Sequence, residues 1–350
     1  MTDQIKKRNR GFTAVYAIVI LIVIARLVYI VDKNLSVDKT GRELPSGWQI
    51  IAEGYDVRSL AESGKIIWAG GKNGLVGIDK NSGEIIRDLT SDMEFSYVMA
   101  LLSDESGALW IAHDKGLSVL KNGELTTWTV DDGLPSNHVK ALGRDTDGKI
   151  WAGTVAGAVF QDGEKWTLVT SEDGLLVDHV NAILPDSRGG VWFGSYVAPR
   201  GGVSYLRDGN WQYFTRENGL PHPNVACFME DDSGDVWIGT GLINRGGALK
   251  VTFEENRWRV SRTLTVDDGL AGEKVRSLCL DSFGGLWFGS EYDGVAVLIN
   301  GGWKIFKQLD GLAYNEVTAI IESNSGDLWL GTLQGITRIK SRALREIHER

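Results

Sequence analysis

The chain has 350 residues, a formal net charge of −9, 43% hydrophobic residues and two cysteines. Residues 1–31 hold five basic residues and one acidic residue, a net of +4, so the remainder carries −13. An acidic surface repels phosphate backbones and anionic lipid headgroups, and we therefore expect no binding to DNA or RNA.

The first predicted element is an apolar helix at residues 12–31, with a single charged residue, Arg26. At about 1.5 Å per residue this segment spans a hydrocarbon core of roughly 30 Å. Basic residues in segment 1–11 favour a cytoplasmic N-terminus, so the sequence predicts a single-pass protein of the inner membrane, with everything after the helix in the periplasm or outside the cell. A charge in lipid is costly, and we predict that Arg26 contacts a partner's membrane span.

A cleaved signal peptide is the alternative for this segment. Its apolar core would usually be about 7 to 15 residues long and would precede a small-residue cleavage site. The apolar run is longer than that and no such site follows it.

After a polar tether predicted at residues 32–46, tryptophan recurs at a nearly constant interval. The intervals are 42, 41, 41, 45, 50 and 42 residues, between Trp68, Trp110, Trp151, Trp192, Trp237, Trp287 and Trp329. A unit of about 40 to 45 residues with several short strands is typical of one propeller blade. The spacing predicts an all-β, seven-bladed β-propeller over residues 47–340, with one indole ring per blade filling the wedge between neighbouring sheets.

Each unit is predicted to form four antiparallel strands, as the third unit shows. Residues 139–143 suit the innermost strand, and Asp145 and Gly148 have the positions that a type I turn favours. The second strand is predicted at 149–154 and the third at 158–160. Asp162-Gly163 suits a two-residue hairpin before a fourth strand that carries Trp166.

The last unit lacks a fourth strand and ends in a charged C-terminal tail at 341–350. Residues 47–51, which include Trp48, resemble an outer strand but stand alone before the first unit. We predict that they pair with residues 336–340 and close the ring, because a closed ring leaves no sheet edge open.

The two cysteines, Cys227 and Cys279, fall in predicted innermost strands of neighbouring blades. We expect small, buried core residues at both positions. Their different positions along the two strands argue against a disulfide, which needs Cα atoms within about 7 Å and convergent side chains.

The unit resembles the two-component regulator propeller repeat. The resemblance is carried by Gly133-Leu-Pro-Ser-Asn-His-Val139, by Asp145, Gly148, Trp151, Gly153-Thr154 and Gly157, and by Asp-Gly-Leu or Asn-Gly-Leu at 132, 173, 218, 268 and 310. It implies a periplasmic ligand-binding sensor region of a bacterial hybrid two-component system. Such sensors usually continue into a second span and a kinase or regulator, whereas this chain ends ten residues after its last predicted strand. We therefore expect any signal to be reported through partners.

Candidate binding residues lie on the loops that join outer to inner strands and second to third strands, which emerge on one face. Thirteen residues before the tryptophan in six of the seven units, side chains should encircle the mouth of the central channel: Tyr97, His138, His179, Asn224, Lys274 and Glu316. Further candidates on this face are His113, Arg200, His222 and Arg245. Polar residues at loop ends also commonly cap strands, and this alternative stays open.

Three functions are compatible with the sequence. The leading hypothesis is a protein-binding scaffold subunit of a membrane-associated complex or sensory system; the alternative is a small-ligand sensor domain, with glycans as one ligand class, that works through a partner. No hydrolase, metalloprotease or phosphate-loop motif is present, so we expect neither an enzyme nor a cofactor. A lyase-like metal site of His138, His179 and Glu316, as in seven-bladed streptogramin lyases, is a third hypothesis, although no sequence spacing shows that three ligands converge.

Overall fold

The computed structural model describes residues 43–90, 97–163, 165–197, 199–243 and 245–349. These residues form seven four-stranded antiparallel sheets, the blades of a β-propeller, numbered here 1–7 in chain order. The predicted cytoplasmic segment 1–11, the membrane helix 12–31 with Arg26, and most of the tether lie outside the described residues. Within the described ranges no helix has the length and apolar character needed to cross a membrane.

The strands of each blade run outward from the channel. The innermost strands are β2 (Ser59–Ser63), β6 (Val98–Ser103), β10 (Val139–Arg144), β14 (Val180–Pro185), β18 (Val225–Glu230), β22 (Val275–Leu280) and β26 (Val317–Glu322). The second strands are β3 (Ile66–Gly71), β7 (Leu109–His113), β11 (Ile150–Thr154), β15 (Val191–Ser195), β19 (Val236–Leu242), β23 (Leu286–Ser290) and β27 (Leu328–Thr332).

The two outer layers complete the blades. The third strands are β4 (Gly74–Asp79), β8 (Gly116–Lys121), β12 (Gly157–Asp162), β16 (Val203–Arg207), β20 (Arg245–Glu254), β24 (Val295–Ile299) and β28 (Gly335–Ile339). The outer strands of blades 1–6 are β5 (Ile85–Asp88), β9 (Glu124–Trp128), β13 (Lys165–Val169), β17 (Asn210–Phe214), β21 (Arg257–Leu264) and β25 (Gly302–Phe306).

The N-terminal strand β1 (Trp48–Ile51) is the outer strand of blade 7. It pairs antiparallel with β28, with Trp48 opposite Ile339 and Ile51 opposite Ile336. Trp48 is 4% exposed and its ring centroid lies 5.4 Å from that of Phe306 in blade 6. The predicted closure of the ring by residues 47–51 is confirmed.

Hydrophobic clusters between neighbouring blades form the core, and each contains one repeat tryptophan. Trp192 of blade 4 packs with Val225 and Val236 of blade 5, and Trp329 of blade 7 packs with Val57 of blade 1. Each of the seven repeat tryptophans is at most 8% exposed. Burying roughly 200 Å² of indole contributes at most about 5 kcal/mol per ring, so the predicted packing role of these rings is confirmed.

The aspartate of the first turn also holds the tryptophan of its blade. In blade 4, Asp186 Oδ1 accepts from the Gly190 N–H at 2.8 Å, and Oδ2 accepts from Trp192 Nε1 at 2.9 Å. The same carboxylate–indole bond joins Asp104 to Trp110, Asp145 to Trp151, Asp231 to Trp237 and Asp281 to Trp287. A carboxylate suits this position because it has two acceptor oxygens, one for the turn and one for the ring.

The third-to-outer hairpins follow the predicted turn chemistry, with one shift. Asn122 and Gly123 have φ of 53° and 86°, which is the left-handed conformation of a two-residue hairpin turn. In blade 3, however, Asp162 pairs with Lys165, so the turn begins at Gly163, one residue later than predicted. Gly163 takes the positive φ, 64°, and leaves Asp162 in the strand.

The segment predicted as a charged tail contains the helix α1 (Ser341–Glu349). Ala343 and Leu344 are buried in the cluster that contains Trp48. His348 Nε2 lies 2.8 Å from Asp281 Oδ2 in blade 6. The helix was not predicted, because most residues of this segment are charged and its apolar face, which packs over the last two blades, is short.

Candidate functional site

The two kinds of loop predicted to share one face do so, and we call that end of the propeller the loop face. In blade 3, the Gly157 N–H donates to Asp178 O, in the connection to blade 4, at 2.7 Å. In blade 6, the Gly294 N–H donates to Asn315 O, in the connection to blade 7, at 2.9 Å. The turns after the second strands are therefore bonded to the connections between blades.

The Asp-Gly-Leu motif fixes the connections of the loop face. Asp132 Oδ2 accepts from the Thr129 N–H at 2.9 Å, Gly133 has a φ of 100°, and Leu134 is buried between blades 2 and 3. The leucine is buried in the other copies too, at Leu175, Leu220, Leu270 and Leu312. Single-turn 3-10 helices precede the motif glycine at Val130–Asp132, Arg216–Asn218, Val266–Asp268 and Gln308–Asp310. In each of these five connections, three consecutive residues cap the turn, reverse the backbone and anchor the loop between two blades.

Exposed large apolar side chains are concentrated on the loop face. Of the sixteen in the described residues, seven lie on outer strands and nine on the loop face. The nine are Val130, Val155, Val197, Leu242, Ile243, Val266, Tyr292, Leu309 and Tyr314. The turns at the opposite end have none within the described ranges, so the two ends of the propeller present different surfaces to water.

A cavity of about 580 Å³ occupies the central channel. Six innermost strands shift register at their start, where one residue bulges out of the ladder. The residues at these bulges lie eleven positions before the blade tryptophan and all line the cavity; with Arg58 of blade 1 they form the mouth ring: Arg58, Met99, Lys140, Asn181, Ala226, Arg276 and Thr318. A bulge redirects side chains, and here it presents one per blade to the channel.

Below the mouth ring, the cavity lining is apolar. Two residues further along each innermost strand lies a second set, the floor ring: Leu60, Leu101, Leu142, Ile183, Phe228, Leu278 and Ile320. The cavity therefore has a polar end toward the loop face and an apolar floor.

Two arginines of the mouth ring share one carboxylate. Arg58 and Arg276 each place Nη1 3.5 Å from Glu316 Oε1. Arg58 also donates to both oxygens of Asp56, at 2.7 and 3.0 Å. Burial raises the pKa of Glu316, and the two arginines oppose that rise.

A long loop of blade 4 reaches past blade 5 to the same cluster. Tyr196, at the start of that loop, has its hydroxyl 3.0 Å from Lys274 Nζ, just before the innermost strand of blade 6. Lys274 is 4% exposed and pairs with Glu291 at 2.6 Å, and Glu291 also pairs with Arg276 at 3.0 Å. The loop is thus tied to the charged side of the channel mouth.

Lys140 has a different environment from the other cations. Among the residues that the structure describes, its Nζ has no ion-pair or hydrogen-bond partner, and burial lowers the pKa of its amine. The pKa of His179 nearby is lowered by burial and by the charge of Lys140. A half-buried cation without a counter-ion is costly, and a bound anion would recover part of that free energy.

Five segments of the chain, each covering a blade connection with the first two strands that follow, match the model of the two-component regulator propeller. They are residues 133–156, 174–197, 219–241, 269–292 and 311–334. The chain carries two-component regulator propeller repeats. The resemblance inferred from Gly133–Gly157 and the Asp-Gly-Leu motifs is confirmed.

Several solved structures share this fold, although their sequences are less than 20% identical to this chain. The extracellular domain of BT3049 of B. thetaiotaomicron, described as a candidate hybrid two-component system, is 19% identical, with a TM-score of 0.73, over 87% of this chain and 42% of that one. Virginiamycin B lyase of Staphylococcus aureus is 14% identical, with a TM-score of 0.65, over 83% and 98%. PorZ of Porphyromonas gingivalis, described as a surface component of the type-IX secretion system, is 15% identical, with a TM-score of 0.59, over 85% and 48%.

These similarities establish the fold. The chain spans about two fifths of the length of the sensor structures it matches, with 42%, 40% and 39% of those chains covered. No curated protein matches the sequence significantly.

The six residues predicted to encircle the mouth occupy several environments. Tyr97 and Lys274 line the cavity, and Glu316 pairs with the two mouth-ring arginines. His138 is exposed outside the cavity lining. His179 Nε2 and Asn224 Oδ1 are buried and have no hydrogen-bond partner in the described residues.

The other candidates divide into buried histidines and exposed arginines. His113 is 1% exposed, with Nε2 2.8 Å from Ser118 Oγ, and burial lowers its pKa to about 4. His222 Nδ1 accepts from the Asn224 N–H at 3.1 Å, and burial lowers its pKa. Arg200 and Arg245 are exposed on the loop face. Both histidines bond groups of their own blades or connections, as the capping alternative predicts.

The regulator propeller repeats bring together no metal site in the described part of the chain. No group of three His, Cys, Asp or Glu side chains there could hold a metal ion, and this includes His138, His179 and Glu316. Cys227 and Cys279 are free thiols, whose pKa values burial raises to about 12.

Arg58, Lys140 and Arg276 line the channel mouth but are not among the residues predicted from the sequence. The position thirteen residues before the tryptophan lies in the loop that precedes the innermost strand. Because of the bulge, the side chain that faces the channel is the one two positions later, eleven residues before the tryptophan. The sequence does contain a signal for them: a Val-x-small triplet lies at the start of each innermost strand or, in blade 1, just before it. The middle residue is basic in Val57-Arg58-Ser59, Val139-Lys140-Ala141 and Val275-Arg276-Ser277.

Proposed function

We propose that this protein is a binding module that holds a protein partner on its loop face, as a subunit of a membrane-associated complex or sensory system. The observation that carries this proposal is the concentration of exposed apolar side chains on that face. Contiguous apolar surface on a folded protein typically marks an interaction site.

The strongest part of this surface lies on blades 6 and 7. Leu309 is 92% exposed, Tyr292 59% and Tyr314 39%. They belong to two loops that the Gly294–Asn315 hydrogen bond joins. Tyrosine and other large side chains on a fixed backbone contribute much of the binding energy at protein interfaces, because little conformational entropy is lost.

In this proposal the predicted helix 12–31 anchors the propeller in the inner membrane, with the N-terminus cytoplasmic and the propeller outside. Arg26 would contact a span of the partner complex. Two proteins of similar fold are described as an extracellular domain and as a bacterial surface component. The hydropathy of 12–31 and its basic flank support this arrangement.

The test is purification of the full-length chain in mild detergent, followed by mass spectrometry of stoichiometric partners. A loop-face variant with Ile243→Ser, Tyr292→Ser and Leu309→Ser should lose the partner. The matched control changes Ile85, Leu168 and Ile305 on outer strands to serine, which removes as many exposed apolar side chains. Absence of a stoichiometric partner, or equal loss in both variants with unchanged melting temperature, would contradict the proposal.

A small-ligand sensor that works through a partner is the second candidate, and the cavity of the channel mouth favours it. Its ligand would bind at the centre of the loop face. A ligand-dependent rise in melting temperature in the purified chain, without any partner, is the measurement that distinguishes it from a scaffold.

A further inference from the structure

We propose that the mouth of the central channel binds a small organic monocarboxylate, with the carboxylate among Arg58, Lys140 and Arg276. This inference rests on the second candidate function, the small-ligand sensor, and is independent of protein binding on the loop face, because it is tested on the isolated chain with small molecules.

The charge of the channel mouth supports an anionic ligand. Arg58, Lys140, Lys274 and Arg276 are its cations, and Asp56, Glu291 and Glu316 are the carboxylates that pair with them. Four cations against three carboxylates leave one positive charge in excess. The chain as a whole carries −9, so this basic site is opposite in sign to the protein around it.

The excess charge can be assigned to one residue. Each of the other three cations contacts a carboxylate at 3.0 Å or less, whereas Lys140 has no such contact in the described residues. Lys140 belongs to blade 3, across the ring from Arg276 of blade 6 and separated by one blade from Arg58 of blade 1. An anion at the channel axis would therefore be approached by cations from three blades.

The surrounding carboxylates limit the ligand to one negative charge. Glu316 lies between Arg58 and Arg276, and Glu291 binds Arg276 and Lys274. A second carboxylate on the ligand would face these groups without a free cation to pair with. Like charges in a partly desolvated site repel strongly, so dicarboxylates and phosphate fit poorly.

The volume and the apolar floor of the cavity indicate the size and polarity of the rest of the ligand. The cavity of about 580 Å³ falls within the range of about 300 to 1,000 Å³ typical of small-molecule sites. Its floor ring is apolar, with Leu142 and Phe228 among the residues that line it. A compact molecule with one carboxylate and an apolar or ring-shaped body matches both ends of the cavity.

The experiment measures binding to the full-length chain in detergent at constant ionic strength, by calorimetry and by thermal shift. The probes are benzoate with its neutral counterpart benzamide, glucuronate with glucose, and inorganic phosphate. We expect at least one carboxylate to bind at least tenfold more tightly than its neutral counterpart and than phosphate. Equal binding of charged and neutral probes, or tighter binding of phosphate, would overturn the proposal.

Variants then assign the site. Lys140→Gln should weaken carboxylate binding at least tenfold, whereas Lys121→Gln, at the exposed end of β8, should leave it unchanged. Ala226→Asp adds a carboxylate to the mouth ring without removing any cation, and should likewise weaken carboxylate binding at least tenfold. The melting temperature without ligand reports folding: Lys140→Gln should not lower it, because the amine has no partner to lose. Binding that survives both Lys140→Gln and Ala226→Asp in folded protein would refute the site.

Discussion

Blades 5 and 7 use the same three positions around their tryptophan but fill them differently. In blade 5, Trp237 Nε1 donates to Asp231 Oδ2 at 3.2 Å. Lys250, opposite Trp237 on the third strand, bridges Asp231 and Asp235 at 3.1 and 2.8 Å. All three charged side chains thus bind partners within blade 5.

In blade 7, the corresponding residues are Ser323, Asp327 and Arg338. Trp329 Nε1 is buried and has no hydrogen-bond partner in the described residues. Arg338 Nε donates to Asp327 at 2.8 Å, and its Nη1 donates to Asn81 O of blade 1 at 3.1 Å.

Other bonds in blade 7 reach the chain ends. Arg338 Nη1 lies 3.5 Å from Gln49 Oε1 on β1, and Asp327 Oδ1 accepts from the Ser341 N–H of α1 at 2.8 Å. The closing blade therefore loses the bond that holds its own tryptophan, and its charged pair joins the two termini and the next blade. In blade 7, Asp327 and Arg338 thus also form bonds outside their own blade, whereas Lys250 of blade 5 pairs with carboxylates of its own blade.

The largest expected effect tests closure itself. Trp48→Ala removes the buried anchor of β1 and should lower the free energy of unfolding by about 3 to 5 kcal/mol. Because β1 completes blade 7, the midpoint of the whole propeller should fall in chemical denaturation. Trp211→Ala, in the partly buried outer strand of blade 4, is the matched control and should cost less. An unchanged midpoint with local fraying near residue 48 would contradict this role.

The next test breaks the charged pair of the closing blade. Asp327→Ala leaves Arg338, which is 5% exposed, without its carboxylate, and should cost about 3 kcal/mol or more in denaturant unfolding. Asp235→Ala in blade 5 is the control: Lys250 keeps Asp231, and its side chain is 23% exposed, so the loss should be below about 1 kcal/mol. Equal losses would remove the distinction between the two blades.

Repeat-level features of this fold could be predicted, and features of single blades could not. The repeat period sets the tryptophan interval, the turn aspartate and the missing strand after Lys340. The number of blades and the closing role of Trp48 could therefore be predicted from the sequence. The bulge before Ala141 changes which side chain faces the channel by two positions, and a count of residues back from the tryptophan does not reveal it. Lys140 was therefore missed, and His138, which is exposed, was placed at the mouth.

Blade 2 offers another departure from the repeat, and it predicts pH dependence. His113 occupies the position of Thr154, Thr240 and Thr332, whose hydroxyls donate to a glycine carbonyl. Burial lowers its pKa from 6.5 to about 4, so the unfolded chain binds the proton at higher pH than the fold does. Stability attributable to His113 is complete above pH 6.5 and is lost as pH falls toward 4, by up to roughly 3 kcal/mol.

His113→Thr should remove this part of the acid sensitivity, because it restores the residue type of the other blades. Unfolding free energies of wild type and variant, measured between pH 7 and 4, should differ most in slope between about 6.5 and 4. His138→Thr, at an exposed histidine, should leave the wild-type slope unchanged. Parallel curves for wild type and His113→Thr would show that His113 is not the group that titrates.

The smallest effect is a gain, and it tests whether the missing bond of blade 7 can be restored. Ser323→Asp should place a carboxylate near Trp329 Nε1 and recreate the arrangement of blade 5, with Arg338 in the role of Lys250. A hydrogen bond to a charged acceptor stabilises by about 1.5 to 3 kcal/mol, but the new carboxylate must be buried beside Asp327, so the net gain should be about 1 kcal/mol. The reciprocal change, Asp231→Ser, should destabilise blade 5 by a similar or larger amount. If Ser323→Asp instead lowers the unfolding midpoint, repulsion from Asp327 exceeds the value of the indole bond, and the serine is what allows Asp327 to hold the chain ends.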